Sequence, residues 1–180
     1  NELIRESEPS KVSGRGISGA EAEEIAHFLT ECRFLRAFQY WVMMDTFGNP
    51  PFVDENTTTK DIPDQISRKD LFDYVERELL AIEGSLKAPK TNEYGRADQA
   101  AAWALLARLY LNAELYTGTP KYTEAITYAS KVIGAGYSLH PTYAHMFMLG
   151  NDKNNPEVIL SINYDGQRTQ GYGGLTYLIN

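Results

Sequence analysis

Polar and aromatic side chains that can recognise a polar ligand are concentrated at the C-terminal end of the chain. The group comprises Asp165, Gln167, Arg168, Gln170, Tyr172 and Tyr177. Flat tyrosine rings can cover the apolar faces of a pyranose ring, while carboxylate, guanidinium and amide groups hydrogen-bond to its hydroxyls. The neighbouring Gly171 and Gly173 allow the backbone to approach a ligand closely. These residues predict a sugar-binding loop, and the alternative interpretation of the same composition is a flexible linker.

The rest of the sequence carries no pattern typical of a catalytic or metal site. No nucleophile is paired with a base, and neither a glycine-rich phosphate loop nor a marked pair of carboxylates is present. His140 and His145 lie five residues apart, which is not the spacing of an HExxH zinc motif. The stretch from Asp152 to Glu157 lacks the ligand spacing and the central glycine of a calcium loop. The sequence therefore predicts a binding protein rather than an enzyme, with no metal site and no cofactor.

Charge and hydropathy restrict the classes of partner. The 17 basic and 24 acidic side chains give a net charge of −7, which disfavours nucleic acid and anionic membrane surfaces as partners. No run of about 18 apolar residues is present, so the sequence contains no candidate for a helix that spans a membrane. The single cysteine, Cys32, falls among apolar residues at helical spacing and is predicted to be a buried structural thiol.

Two long helices are predicted in the first half of the chain, after a polar leading loop over residues 1–18. The first helix opens with a capping box at Ser18 and carries an apolar stripe as far as about Phe47. Ser67, followed three residues later by an aspartate, is the start signal for a second helix that ends before Gly84.

Two further helices form a second pair. An alanine-rich helix is predicted from about Ala97 to Tyr116, and Thr119 is the expected N-cap of a fourth helix that ends near Gly134. The face of this fourth helix that is expected to be buried holds Tyr122, Ala125, Ile126, Ala129, Val132 and Ile133. Small alanines on both helices predict close packing between them.

The remaining residues are predicted to be mostly irregular. A single helical turn is expected at Tyr143–Met148, and the β-branched run at residues 158–162 predicts a short strand. A glycine- and tyrosine-rich irregular loop follows. The sequence thus predicts a mainly α fold in a single partial domain, with a leading loop at 1–18, a helical scaffold at 19–149, and a strand with the candidate ligand loop at 150–180.

The second helix pair matches a repeat pattern. Trp103, Leu106, Ala107 and Tyr110 follow the first-helix signature of a tetratricopeptide repeat, and alanines of the fourth helix match its second helix. Such pairs bury a continuous core by stacking on their neighbours. We therefore expect an αα superhelix of tetratricopeptide-like pairs, with an ordinary helical hairpin as the alternative.

Several blocks along the chain resemble one protein family. Residues 32–41 read CRFLRAFQYW and are followed at 45–53 by DTFGNPPFV, and residues 94–97 read YGRA before the helical block AAWALLARLYL at 101–111. Two further blocks follow, residues 132–139 at the end of the fourth predicted helix and residues 155–162 with the predicted strand. In this order the blocks resemble the SusD-like (RagB) family of outer-membrane glycan-binding lipoproteins of Bacteroidetes.

The resemblance implies a function and a location. It implies a cell-surface protein of a nutrient-uptake system that captures an oligosaccharide or polysaccharide on loops supported by helix pairs. The sugar would pass to a TonB-dependent outer-membrane transporter. The protein would be held at the outer membrane by a lipid anchor that has no counterpart here, because Cys32 lies inside a predicted helix. Calcium is compatible with the full-length protein, of which this chain is expected to be the middle part.

Two other functions are compatible with the residues. One is a tetratricopeptide-like module for protein–protein interaction, in which the helix surfaces bind a peptide and the tail is a linker. The other is a helical glycoside-processing protein, in which two of the many carboxylates come together in space.

Overall fold

A computed structural model describes residues 1–57, 62–148, 150–151 and 155–163. The helices are α1 (Glu2–Glu6), α2 (Pro9–Gly14), α3 (Ala20–Phe47), α4 (Arg68–Ile82), α5 (Gln99–Leu111), α6 (Ala113–Thr117), α7 (Tyr122–Gly134) and a 3₁₀ helix at Tyr143–Phe147. The prediction of a mainly α fold is confirmed. None of the helices in these ranges combines the length and the apolar character needed to cross a bilayer.

The long helix α3 packs along α4 to form the first helix pair. Phe34, Ala37, Tyr40 and Met44 recur every three or four residues on α3, and all four are buried against α4. The connection between the helices is held to the pair by the phenol of Tyr40, which donates to the backbone carbonyl of Val53 over 2.7 Å. The amide of Val53 donates back to the same phenol oxygen.

The second pair consists of α5 and α7, whose alanines allow close approach. Leu106 and Tyr110 of α5 are only 0% and 3% exposed, as the repeat pattern predicts. Trp103 is half-buried, and its indole Nε1 donates to the Glu83 carboxylate over 2.8 Å. Because Glu83 follows α4, this hydrogen bond ties the second pair to the first.

Helix boundaries differ from the sequence predictions at several points. Ser67 is confirmed as an N-cap, since its hydroxyl accepts from the Asp70 amide over 3.1 Å. The capping box at Ser18 is wrong, because Gly19 occupies the N-cap position and no side chain caps the helix. Thr119 is not the N-cap of α7 either, since its amide donates to the Thr117 hydroxyl and it belongs to the turn that ends α6.

The predicted helix from Ala97 to Tyr116 is divided in two. Asn112 separates α5 from α6, and its side-chain amide donates to the carbonyl of Arg108 over 3.0 Å. This local hydrogen bond satisfies a carbonyl at the end of α5, which is how an asparagine competes with a continuing helix.

The leading loop predicted over residues 1–18 is also wrong. Helices α1 and α2 occupy most of it, and their apolar residues Ile4 and Val12 are buried. The two helices have 5 and 6 residues, which is too short for a helical period to stand out in a polar stretch.

Two further predictions are wrong, the buried face of α7 and the strand at residues 158–162. In both cases no other described segment packs against or pairs with the residues concerned. On α7, Ala125 and Tyr128 are buried, whereas Tyr122, Ile126 and Ile133 are at least half exposed because α7 packs mainly against α5. The predicted strand at residues 158–162 is absent, since no other described segment forms a ladder with it. A strand needs such a partner for its backbone hydrogen bonds.

Candidate ligand surface

The six predicted sugar-binding residues, Asp165, Gln167, Arg168, Gln170, Tyr172 and Tyr177, lie outside the described residues. The described segment that leads to them, residues 155–163, lies against the loop at residues 90–98. We call the depression between these two segments the Tyr94 cleft. It consists of two adjoining pockets that share Tyr94, Asn155, Val158 and Ser161. The outer pocket is also lined by Met146, Asn151, Leu160, Ile162 and Asn163, and the inner one by Lys90, Asn92, Glu93, Gly95, Arg96, Asp98, Tyr137, Pro156 and Ile159.

An exposed aromatic ring stands at the mouth of the cleft. Tyr94 is 58% exposed and Ile162 is 67% exposed, so both present apolar surface to solvent. A ring with an apolar body and a hydroxyl at its tip is suited to stacking on a sugar. In the sequence, Tyr94 belongs to one of the blocks that resemble the family, and that pattern does not predict the exposure of its ring.

Helix α3 fixes the loop that carries Tyr94. The guanidinium of Arg96 grips the Glu31 carboxylate with its Nε 3.0 Å from Oε2 and its Nη2 3.0 Å from Oε1. The side-chain amide of Asn92 donates to the same carboxylate over 2.8 Å and to the carbonyl of Ala97 over 2.8 Å. Two-point contacts of this kind define orientation as well as distance. The base of the loop is therefore held rigidly.

Gly95 allows the loop to meet the segment that leads to the tail. Its φ of +79° is a conformation that side chains with a β-carbon rarely adopt, and a β-carbon there would lie 2.1 Å from the Nδ2 atom of Asn163. The backbone conformation therefore favours glycine, and a β-carbon there would displace the tip of the Asn163 side chain.

Asp98 organises the inner wall of the cleft. This buried carboxylate caps α5 by accepting from the Ala101 amide over 3.0 Å, and it also accepts from the Lys90 amide over 2.8 Å. The Tyr137 phenol donates to it over 3.2 Å. Burial, followed by the negative charge of Asp98, raises the pKa of Tyr137 to about 12, so the phenol keeps its proton near neutral pH.

The ammonium group of Lys90 also contacts protein groups of the inner wall. Its Nζ donates to the carbonyl of Gly136 and lies 4.6 Å from the centroid of the Tyr137 ring. Arg96 is likewise engaged by Glu31, and the Asp98 carboxylate accepts from two backbone amides. The inner wall is therefore polar, and its charged groups are held in place by protein partners.

The outer wall is built from the chain between the 3₁₀ helix and Asn163. Asn155 donates to the carbonyl of Asn151 over 2.9 Å and accepts from the amide of Glu157. Glu157 accepts in turn from the His140 amide over 2.9 Å. The hydroxyl of Ser161 is buried and has no hydrogen-bond partner among the described residues.

The residues considered for metal binding do not converge within the described part of the chain. His140 and His145 contact each other edge to face with ring centroids 5.5 Å apart. No three histidine, cysteine, aspartate or glutamate side chains in the described ranges form a group that could hold a metal ion. The expectation that the chain needs no cofactor stays a prediction, as does calcium in the full-length protein.

Comparison with known proteins decides the family. No family model matches the chain. A curated relative, the starch-binding protein SusD of Bacteroides thetaiotaomicron, is 46% identical over 152 residues, which cover 83% of this chain and 27% of SusD. This chain belongs to the SusD-like family. The resemblance of its sequence blocks is thereby confirmed, and the chain spans about a quarter of the length of that relative.

Solved structures show the same fold. A SusD-like protein from Bacteroides fragilis matches with a TM-score of 0.68 at 26% identity, over 89% of this SusD-like chain and 31% of the other. A laminarin-binding SusD-like protein matches with a TM-score of 0.73 at 23% identity, over 94% and 37% of the two chains. In this SusD-like chain, Arg96 anchors the Tyr94 loop to Glu31, and Gly95 allows the loop to approach Asn163.

Proposed function

We propose that this chain is part of a cell-surface glycan-binding protein that captures oligosaccharide or polysaccharide without cleaving it. The observation that carries the proposal is the 46% identity to a starch-binding protein along 83% of the chain. The fold supports it, because the helix pairs form a stiff base that holds the Tyr94 loop beside residues 155–163.

Binding would combine stacking with hydrogen bonds. Tyr94 offers an exposed ring beside the start of the tail, and Tyr172 and Tyr177 add two more rings in the tail itself. Asp165 and Arg168 would hydrogen-bond to sugar hydroxyls, together with Gln167 and Gln170. Nothing in this arrangement requires a bond to be broken.

We further propose that the full-length protein works at the outer membrane. There it would be held by a lipid anchor and pass its glycan to a TonB-dependent transporter. The family membership supports this placement. Co-purification of the tagged full-length protein with a TonB-dependent transporter from outer-membrane extracts would test the partnership.

Affinity electrophoresis of the full-length protein in gels containing starch tests the glycan proposal. We expect retardation in starch gels relative to gels without polysaccharide. Tyr94→Ala and Tyr172→Ala should each reduce the retardation severalfold, because each removes an aromatic ring that can stack on the apolar face of a sugar. Tyr122→Ala, which removes a half-exposed tyrosine from α7, is the matched control and should migrate like the unmodified protein.

Three outcomes would contradict the proposal. The first is the absence of retardation by starch and by every glycan of a broad array. The second is unchanged retardation in both the Tyr94→Ala and the Tyr172→Ala variants, which would return the tail to linker status. The third is release of reducing sugar that is lost on substitution of a single aspartate or glutamate, which would show an enzyme.

A further inference from the structure

One buried polar group in the Tyr94 cleft forms no hydrogen bond with the described residues. Ser161 lines both the inner and the outer pocket of the cleft. Its hydroxyl oxygen is covered by protein atoms and has no partner in the described part of the chain. A buried hydroxyl without a partner destabilises a folded protein, because it has given up its hydrogen bonds to water. Such groups are rare, and each one calls for a physical explanation.

Three other polar side chains of the cleft are engaged by protein groups. The Asp98 carboxylate accepts from two backbone amides. The side-chain amide of Asn155 donates to one carbonyl and accepts from one backbone amide. Asn151 donates to the carbonyl of Met146 over 2.8 Å. Ser161 differs from these residues, because both the donor and the acceptor capacity of its hydroxyl are unused within the described ranges.

Ser161 is also the one polar residue in an apolar run. Residues 158–162 read VILSI, and Ile159 and Leu160 pack against the hydrophobic core. An alanine at position 161 would avoid the free-energy cost of burying a hydroxyl. The described part of the fold therefore gives no reason for a serine at this position, whereas a contact with a ligand does.

The backbone on either side of this run is held in place. The carbonyl of Pro156 accepts from the Ser138 amide over 3.2 Å, and the Glu157 carboxylate accepts from the His140 amide over 2.9 Å. Together with the packing of residues 159 and 160, these contacts fix the position of Ser161. A group that is fixed before binding loses less conformational entropy when it contacts a ligand.

We propose that Ser161 is a specificity-determining residue of the Tyr94 cleft, and that its hydroxyl hydrogen-bonds to a hydroxyl group of the bound glycan. This inference rests on the glycan-binding function proposed above. A serine hydroxyl both donates and accepts, as a sugar hydroxyl does, so the two groups are matched without a charge. Tyr94 lines the same two pockets, and its ring would cover the apolar face of the same sugar unit.

The cleft has room for a sugar, and the serine can reach it. The outer pocket has a volume of about 530 Å³, within the range of about 300 to 1,000 Å³ that is typical of small-molecule sites. Ser161 as a whole is only half-buried, although its Oγ atom is covered. A serine side chain has three staggered positions about a single bond, so its hydroxyl can turn toward the pocket without movement of the backbone.

A structural partner is the competing explanation. A water molecule or another segment of the full-length polypeptide would also satisfy the hydroxyl. Removing a hydroxyl that is satisfied within the protein lowers stability, whereas removing an unsatisfied one leaves stability unchanged or raises it. Stability and glycan binding, measured on the same variant, therefore distinguish the two explanations.

Ser161→Ala in the full-length protein tests the proposal, with starch as the probe. We expect affinity electrophoresis to show binding to starch weakened about 3- to 10-fold, the usual effect of one neutral hydrogen bond. The melting temperature without starch should stay within about 1 °C of that of the unmodified protein, or rise. The matched control is Ser138→Ala, which removes an exposed hydroxyl outside the cleft and should change neither measurement.

Two results would overturn the proposal. Unchanged retardation of Ser161→Ala would show that the hydroxyl does not contact the glycan. A melting temperature lowered by several degrees would show that the hydroxyl has a structural partner instead.

The same gels separate this inference from the function on which it rests. Retardation that is reduced in Tyr94→Ala and kept in Ser161→Ala would contradict the role of Ser161 alone. Absence of retardation of the unmodified protein, by starch and by every other glycan of the array, would contradict the glycan-binding function and this inference with it. If another glycan retards the protein in place of starch, the same variants are measured with that glycan.

Discussion

Gly95 and Asn163 approach so closely that a β-carbon at residue 95 would lie 2.1 Å from the side-chain Nδ2 atom of Asn163. This contact joins the loop that carries Tyr94 to the last described residue before the predicted ligand tail. The backbone at Gly95 is also in a left-handed conformation with φ of +79°. The backbone conformation therefore favours glycine at the point where the Tyr94 loop meets residue 163, and any larger residue would also displace the Asn163 side chain.

Replacing this glycine should disturb the cleft. Gly95→Ala is expected to cost about 1 to 3 kcal/mol of folding free energy, because a residue with a β-carbon is held in a sparsely populated conformation. It should also displace the Asn163 side chain and weaken retardation in starch gels. The free energy of unfolding by urea measures the first effect.

Gly84→Ala is the matched control for this experiment. A β-carbon at Gly84 meets no atom within 4 Å, and its φ is not positive. We expect a change within about 0.5 kcal/mol, and a stabilisation is compatible with the smaller entropy of the unfolded chain. A cost at Gly95 no larger than at Gly84 would show that the close approach has no energetic consequence.

The ion pair between Arg96 and Glu31 should stabilise the fold more than surface pairs do. Arg96→Ala leaves a carboxylate that is 14% exposed without its partner, and we expect a loss of about 2 kcal/mol. Lys69→Ala removes a pair with Asp73 whose side chains are 61% and 47% exposed, and should cost no more than about 0.5 kcal/mol. Denaturant midpoints of the two variants provide the comparison. Equal midpoints would show that the Arg96–Glu31 pair stabilises the fold no more than an exposed surface pair does.

The main helices could be predicted because they carry a long apolar period. The 28-residue helix α3 and the capped start of α4 at Ser67 are local features of the chain. The short helices α1 and α2 lack such a period. One side of α7 is exposed because, among the described residues, this helix packs mainly against α5, and the sequence of α7 does not contain that information. Boundaries failed where a local hydrogen bond, as at Asn112 or Thr119, decided the end of a helix.

The candidate site was less accessible to sequence reasoning. Arg96 and Glu31 are separated by 65 residues, and nothing in either segment signals that they meet. The Tyr94 cleft depends on that contact and on the approach of Asn163 to Gly95. The chemistry of the tail could be proposed from its residue types, because stacking rings and polar groups are adjacent there. The surface beside it depends on long-range packing, which the pattern of one chain does not contain.

Leu106 tests whether the second helix pair is a packed core. It is fully buried between α5 and its neighbours, whereas Leu111 on the same helix is 59% exposed. Leu106→Ala should cost about 2 to 5 kcal/mol because it opens a cavity, and Leu111→Ala should cost less than about 1 kcal/mol. Thermal unfolding of both variants distinguishes the sites. Similar losses at the two positions would contradict the tetratricopeptide-like packing.

The pH dependence of stability tests the buried cluster between α3 and α4. Burial by itself would raise the pKa of Glu78, but the hydrogen bonds and positive charges of Arg33 and Arg36 outweigh it and lower the pKa below its usual value. Arg33 contacts both carboxylate oxygens at 3.0 Å. Because the unfolded chain then binds a proton more readily than the folded one, stability should be full at neutral pH and fall as pH drops below about 4.3.

Glu78→Gln isolates the contribution of this carboxylate. The variant should be less stable than the unmodified protein at pH 7, because Arg33 loses its carboxylate partner and Arg36 keeps only Glu55, while both remain partly buried. Its free energy of unfolding should fall less steeply in acid, since one group with a lowered pKa has been removed. The difference in free energy of unfolding between the two proteins should therefore shrink toward pH 3. Urea denaturation at a series of pH values provides both curves. Parallel curves across the acid range would show that Glu78 titrates alike in the folded and unfolded chains, and the stabilising role of the arginine cluster would then have to be abandoned.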